Sequence, residues 1–345
     1  MNRVQFFIIF IFICLFASCA KTEDAAIRSA IQEAKYYLNS SDCANAKDVL
    51  DDVDFQEDNA SYISTYASAQ ACVAGYTELD TLFGGNLSNI SSTSLIASLA
   101  AFSSSIETLP DSSASTAIDQ AITTLISYDE AASGSPSTAA RNTKFGIKQS
   151  GDLSMQTMYL LFVQIGKHFA LYGNAEHSAD PPTGAKGGGA FGNSCLFSYT
   201  TQDAVEVIDD FGGLGTAPLG TCVAASGTEG SDFLEAPETD EDIKRRLCQG
   251  IVYFNNLLDI LSNLTLPGSD SLGDVSNVGA ALSTLMTAAQ TQETTGAGGK
   301  YNDGDVKGQD AIANLKDVTS QVVCEAEAIE RIEKFYAIFF EVVYK

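Results

Sequence analysis

The sequence predicts an all-α protein: an array of helical hairpins with one long loop stapled by a cysteine pair. Three observations predict it. Apolar residues recur at three- and four-residue spacing over most of the chain. Short alternating Val/Ile/Thr runs, the mark of strands, are scarce. A Gly-, Ser- and Thr-rich stretch over 173–238 separates two helical regions, 25–172 and 239–345.

Composition bounds the rest. The chain has 345 residues, enough for two domains or one elongated helical array. Hydrophobic residues make up 45%, which excludes wholesale disorder. Lys and Arg number 19 against 44 Asp and Glu, a formal net charge of −25. That balance opposes binding to nucleic acid, which depends on neutralising phosphates, and docking on anionic headgroups.

The chain starts Met1-Asn2-Arg3, runs uncharged from Phe6 to Phe16 and reaches Ala17-Ser18-Cys19. The apolar run is too short to span a bilayer, which takes about 20 residues. One Arg, a short greasy core and small residues before a cleavage point fit a secretory signal over 1–18. Phe16-Ala17-Ser18-Cys19 resembles the lipobox of bacterial lipoproteins, with Phe16 where Leu is usual. The resemblance implies that Cys19 is acylated, palmitate being one such chain, and opens a lipidated tether over 19–24. With Ala20 rather than Asp next, it implies the outer membrane, at its periplasmic face. Two or more acyl chains anchor stably where one is marginal. An ordinary signal peptide or an uncleaved anchor is the alternative.

Beyond Cys14 and Cys19 there are six cysteines: Cys43, Cys72, Cys195, Cys222, Cys248 and Cys324. An even number in an exported chain points to disulfides, and six allow fifteen pairings. Sequential pairing is expected: Cys43–Cys72, Cys195–Cys222 and Cys248–Cys324. The rival zinc site lacks any CxxC or Cys/His cluster.

In chain order, Ala26, Ile27, Ala30, Ile31, Ala34, Tyr37 and Leu38 mark one face of a helix over 23–39. Asn39-Ser40-Ser41-Asp42 breaks it and offers N-caps for a helix over 43–53. A third helix is expected from 61 to 83, before Gly84-Gly85. Ala34, Tyr37, Leu38, Ser41-Asp42, Ala46, Leu50 and Val53 resemble a tetratricopeptide repeat over 27–60. The unit's closing Pro is missing. That resemblance makes Cys43–Cys72 natural, because the start of one helix and the end of the antiparallel next lie side by side. Helices over 91–109 and 113–131 follow, then a linker, Ala132–Ala139. Segment 150–172 is apolar nearly all round, which predicts a buried central helix.

The excursion at 173–238 holds one short helix near 201–210, and its cysteine pair argues for a structured lid or binding loop. Thr239 and Asp242 form a capping-box arrangement for the next helix. A small-residue helix is expected over 275–291, and one long helix over 309–344.

Candidate chemistry is sparse. Only His168 and His177 supply imidazole; no GxSxG, HExxH or Walker A sequence occurs. Gly187-Gly188-Gly189 and Gly212-Gly213-Leu214-Gly215 lack the strand-turn-helix context of a phosphate loop. Asn302-Asp303-Gly304-Asp305 lacks the acidic residue an EF-hand needs at 299. No catalytic set, metal or cofactor is expected. Carboxylates say more. Between Lys47 and Arg141, and again between Lys186 and Lys244, there are Asp and Glu but no Lys or Arg. Such stretches make negative surfaces that favour solubility and steer cationic partners. The expected role is a non-enzymatic outer-membrane lipoprotein, a helical scaffold or adaptor for protein partners. The alternative is a small-ligand-binding component of a transport system. Its pocket would lie beside Tyr159, Phe162 and Phe169, under helix 150–172 and loop 173–238.

Overall fold

A computed structural model describes residues 23–76, 95–102, 112–127, 136–180, 182–199, 222, 230–235, 239–263, 283–284, 286–287, 311–341 and 344. The signal segment, Cys19, the helix expected at 201–210 and the Asn302–Asp305 turn lie outside these residues. Among them the chain is helical, with no strand longer than a bridge at Tyr199.

Among the described residues the first three helices are α1 (Glu23–Asn39), α2 (Cys43–Asp51) and α3 (Ala60–Val73). Asp42 caps α2, its carboxylate accepting from the Asn45 amide at 3.4 Å. Asn59 caps α3, Oδ1 accepting from the Ser61 and Tyr62 amides, each at 3.1 Å. Such caps satisfy amide donors that the first turn leaves without helical partners. Helix α3 stops ten residues short of the expected 83. Gly75 follows it at φ +79°, and its amide donates to the Cys72 carbonyl at 2.8 Å.

Two cores result. Ile27, Ile31, Ala34, Ala46, Leu50, Tyr62, Tyr66 and Ala69 form the smaller one. The opposite face of α3, with Ile63, Ala67 and Ala71, faces the larger one. That core also takes α4 (Leu95–Phe102), α5 (Ser113–Ser127) and α6 (Thr138–Tyr172). Ser137 caps α6, so the expected linker ends two residues earlier than Ala139. The helix breaks at Gly146 (φ +77°), a left-handed conformation that costs glycine little. From Leu153 onward α6 is buried nearly all round, as its apolar circumference requires, and α4, α5 and α8 (Asp240–Asn263) pack on it.

A short α7 (Asp232–Glu235) precedes α8. The Thr239 hydroxyl accepts from the Asp242 amide at 3.3 Å and donates to its carboxylate at 3.0 Å, the capping arrangement expected. Residues 283–284 and 286–287 are helical.

The single helix expected at 309–344 is instead four pieces: α9 (Ala311–Leu315), α10 (Gln321–Glu325), α11 (Ile329–Phe335) and a π-helical turn, Tyr336–Glu341. The cause of the first break sits on α8. Asn255 Nδ2 donates to the Leu315 and Val318 carbonyls at 2.6 and 2.8 Å, and Asn256 Nδ2 to the Thr319 carbonyl at 2.9 Å. These carbonyls are thereby satisfied from the side, and Ser320 is extended.

The three disulfides pair sequentially: Cys43–Cys72, Cys195–Cys222 and Cys248–Cys324. The first clamps α2 to α3, the last α8 to α10, and the middle one closes the 195–222 loop.

Candidate functional site

The π turn organises the polar interior. Glu341 is fully buried, and Lys186 Nζ donates to its Oε1 at 2.6 Å and to its backbone carbonyl at 2.9 Å. Tyr199 Oη donates to Oε2 at 3.0 Å, and the Leu196 amide reaches both oxygens at 3.3 and 3.1 Å. One carboxylate thus gathers three points of the 182–199 loop. Burial and that carboxylate push the Tyr199 phenol well above its ordinary value, so it stays a donor. Cys195, Cys222 and Glu341 cluster closely enough for a metal. The two sulfurs are bonded to each other, however, and a disulfide supplies no thiolate ligand.

At the other end of the turn, Tyr336 Oη and His168 Nε2 share a 2.6 Å hydrogen bond. Burial drives His168 down to about 3, so it is a neutral core histidine near pH 7. A 30 Å³ space beside it, lined in part by Ser115, Gln164 and Lys167, has room for about one water. Burial also lowers the half-buried His177, against the opposing pull of Glu176. The Glu176 carboxylate is held at about 2 by the Ser178 hydroxyl, the Ala179 amide and Thr183. Both of its oxygens are occupied within the loop. Among the described residues no Ser, Thr or Cys is hydrogen-bonded to either imidazole, and the His168 partner, the Tyr336 phenol, is pushed well above its ordinary value by burial.

Glu341 also fixes the backbone that bears Phe197, since the Leu196 amide is bound to it. Phe197 forms part of the floor of a 600 Å³ cleft with Ile243 of α8 and Ile329 of α11. Around that floor stand Asp240 and Glu241 from the first turn of α8, Glu325 from α10 and Glu333 from α11, with Lys244 the one cation among the described lining residues. The Cys248–Cys324 disulfide joins two walls: Cys248 lies one turn beyond Lys244, and Cys324 precedes Glu325. The volume falls in the range of small-ligand and side-chain pockets. Four carboxyl groups near an apolar floor and a low-dielectric wall favour a cationic group on an apolar stem.

A second cleft of 390 Å³ opens between the C-terminal half of α8, the entry to α6 and the 316–319 turn. Asp259 stands in its wall. Its Oδ2 accepts from the Thr138 amide and hydroxyl, both at 2.7 Å, with the buried Arg141 guanidinium 3.9 Å away.

Of the pocket residues expected from sequence, Phe162 and Phe169 are core. Phe169 packs against Phe340 and Tyr344 with ring centres 5.0 and 5.5 Å apart. Tyr159 is partly buried against the same core. All three clefts above are lined by other residues. The acidic cleft went unforeseen because its walls come from positions about 85 residues apart in sequence; the Cys248–Cys324 pairing was the one signal that they meet.

No protein-family model matches the chain, and no curated protein or solved structure does either.

Proposed function

We propose that this protein is an exported, lipid-anchored helical adaptor at the periplasmic face of the outer membrane, non-enzymatic, which holds a cationic segment of a protein partner. The observation that carries the reading is the acid-rimmed, apolar-floored cleft of Phe197, Ile243 and Ile329. Its charge suits Lys or Arg, whose aliphatic stems cover apolar surface while the heads meet carboxylates. Three disulfides support an oxidising compartment. The paired α1 and α2 with α3 behind them support a tetratricopeptide-like hairpin at 27–60, and the lipobox-like Phe16–Cys19 supports an anchor at Cys19.

The test is a photo-crosslinking residue at Ile329 in intact cells. One main adduct is expected, lost with Asp240→Lys/Glu241→Lys and weakened by added salt, because rim charges act on association rate and its ionic-strength dependence. An adduct indifferent to charge reversal, or none, overturns the adaptor reading. Separately, Cys19→Ser should release the protein from envelope membranes.

A further inference from the structure

We infer that the occupant of the acidic cleft is a second copy of this chain, whose basic segment 144–148 brings an exposed apolar side chain flanked by two lysines. That identity rests on the cleft's proposed role as a site for a cationic partner segment.

The segment stands apart in a chain of net charge −25. Residues 131–151 hold Arg141, Lys144 and Lys148 and no Asp or Glu. Gly146 breaks α6 at φ +77°, and residues 146–149 are exposed in succession. Ile147 is 73% exposed there, the most exposed large apolar side chain among the described residues. Lys148 beside it is exposed as well. Lys144 pairs with Asp58, itself well exposed, and such a surface pair is readily exchanged for another carboxylate.

The cleft is the complement of this segment. Its floor of Phe197, Ile243 and Ile329 suits Ile147, and its four carboxyl groups suit the lysines. The other exposed apolar side chains fit less well. Tyr36 lies one helical turn from Glu33, and Val322 and Val323 stand beside Glu325, so the acidic rim would repel both sites. Val73 lies in a stretch without any Lys or Arg. Phe191 has Lys186 as its nearest cation in sequence, and that lysine is bound to Glu341.

Within one molecule segment and cleft lie apart. Along α6, Thr138 is bonded to Asp259 of α8 and His168 packs against Gly250, with the 146–149 break between them. Asp240 opens α8 ten residues before Gly250, about 15 Å further along the axis. Segment and cleft are different surfaces, so their contact is heterologous and either closes into a ring or extends into a chain. A segment this short buries less than the roughly 1,200 Å² of a standard interface, which places the contact in the weak, transient class.

Sedimentation of the full chain purified after export as Cys19→Ser, which leaves no acyl chain to drive association, tests this up to about 1 mM protein. Average mass should rise with concentration, and the association should weaken at least about fivefold between low and high salt. Ile147→Asp and Asp240→Lys/Glu241→Lys change exposed positions and should each weaken self-association at least tenfold. An equimolar mixture of these two variants should form dimers and nothing larger, because each retains one of the two surfaces. A chain that stays monomeric, self-association that survives Ile147→Asp, or a mixture that does not dimerise overturns the proposal. In cells, the Ile329 photo-crosslink should give an adduct of twice the chain's mass. An adduct with a different protein overturns the second-copy assignment and leaves the adaptor reading standing, whereas no adduct overturns both.

Discussion

Acid should weaken this protein through one side chain before the bulk of its carboxylates titrate. His168 is held down to about 3 by burial, whereas in the unfolded chain it titrates near 6.5. Between those values the unfolded state binds a proton that the native state refuses. Stability therefore rises with pH through the window, is complete above about 6.5, and is lost progressively as pH falls toward 3. From pH 7 to pH 5 the loss from His168 alone is about 2 kcal/mol, obtained by integrating the difference in bound protons. Depressed carboxylates such as Glu176 and Asp242 lose stability in the same direction, but only nearer pH 4. His177 is also lowered and acts with the same sign, so the measurement belongs in a His177→Gln background. Urea unfolding at pH 7, 6 and 5 is the assay. With a slope on the order of 3 kcal/mol/M for a chain of this size, the midpoint should drop by about 0.6 M over that range. His168→Leu should be less stable at pH 7, because it orphans the Tyr336 hydroxyl, yet nearly flat between pH 7 and 5. The remaining imidazole is easily followed by proton NMR. A His168 resonance titrating near 6.5 in the folded protein, or an equal slope in His168→Leu, would refute the account.

Four further outcomes follow from the packing. Cys248→Ser/Cys324→Ser opens a loop of 76 residues and should cost about 4.5 kcal/mol on loop-closure entropy, read as a fall in denaturation midpoint. Lys186→Met leaves the Glu341 carboxylate buried without its cation and should cost about 3–5 kcal/mol; Lys186→Met/Glu341→Gln should cost distinctly less than the two single changes summed. Phe162→Ala, in a fully buried position of α6, should cost about 3–5 kcal/mol by thermal or urea unfolding. Gly250→Ala places a methyl 2.2 Å from Tyr336 Oη and 2.6 Å from His168 Nε2, and should cost about 1–3 kcal/mol and shift the His168 resonance.

The parts of the fold legible in the sequence were those set by local rules. Apolar spacing marked α1, α5 and α6, and Asp42 and Thr239 are caps where the side-chain chemistry put them. The cysteine pairing was also legible, because each sequential pair joins elements adjacent in the fold. What escaped was decided from a distance. The amide side chains of Asn255 and Asn256 cut the expected 309–344 helix across some 60 residues of sequence, and no periodicity within that segment reports them. Likewise Asp240 and Glu325 look like separate solvated charges until α8 and α10 are clamped together. Segment 150–172 was legible as buried, and that burial is why Phe162 and Phe169 fill space instead of bordering it.

Helix α3 is clad on both sides, Tyr62 and Tyr66 toward one cluster and Ile63 and Ala67 toward the other. This decides how the molecule can be dissected. A fragment ending near residue 57 strips the N-terminal pair of its aromatic lid and of the thiol that Cys43 needs. A fragment beginning there carries two tyrosines into water. Truncations intended to isolate the N-terminal hairpin should therefore run through Gly75, and even then the stripe of Ile63, Ala67 and Ala71 is left bare and sticky.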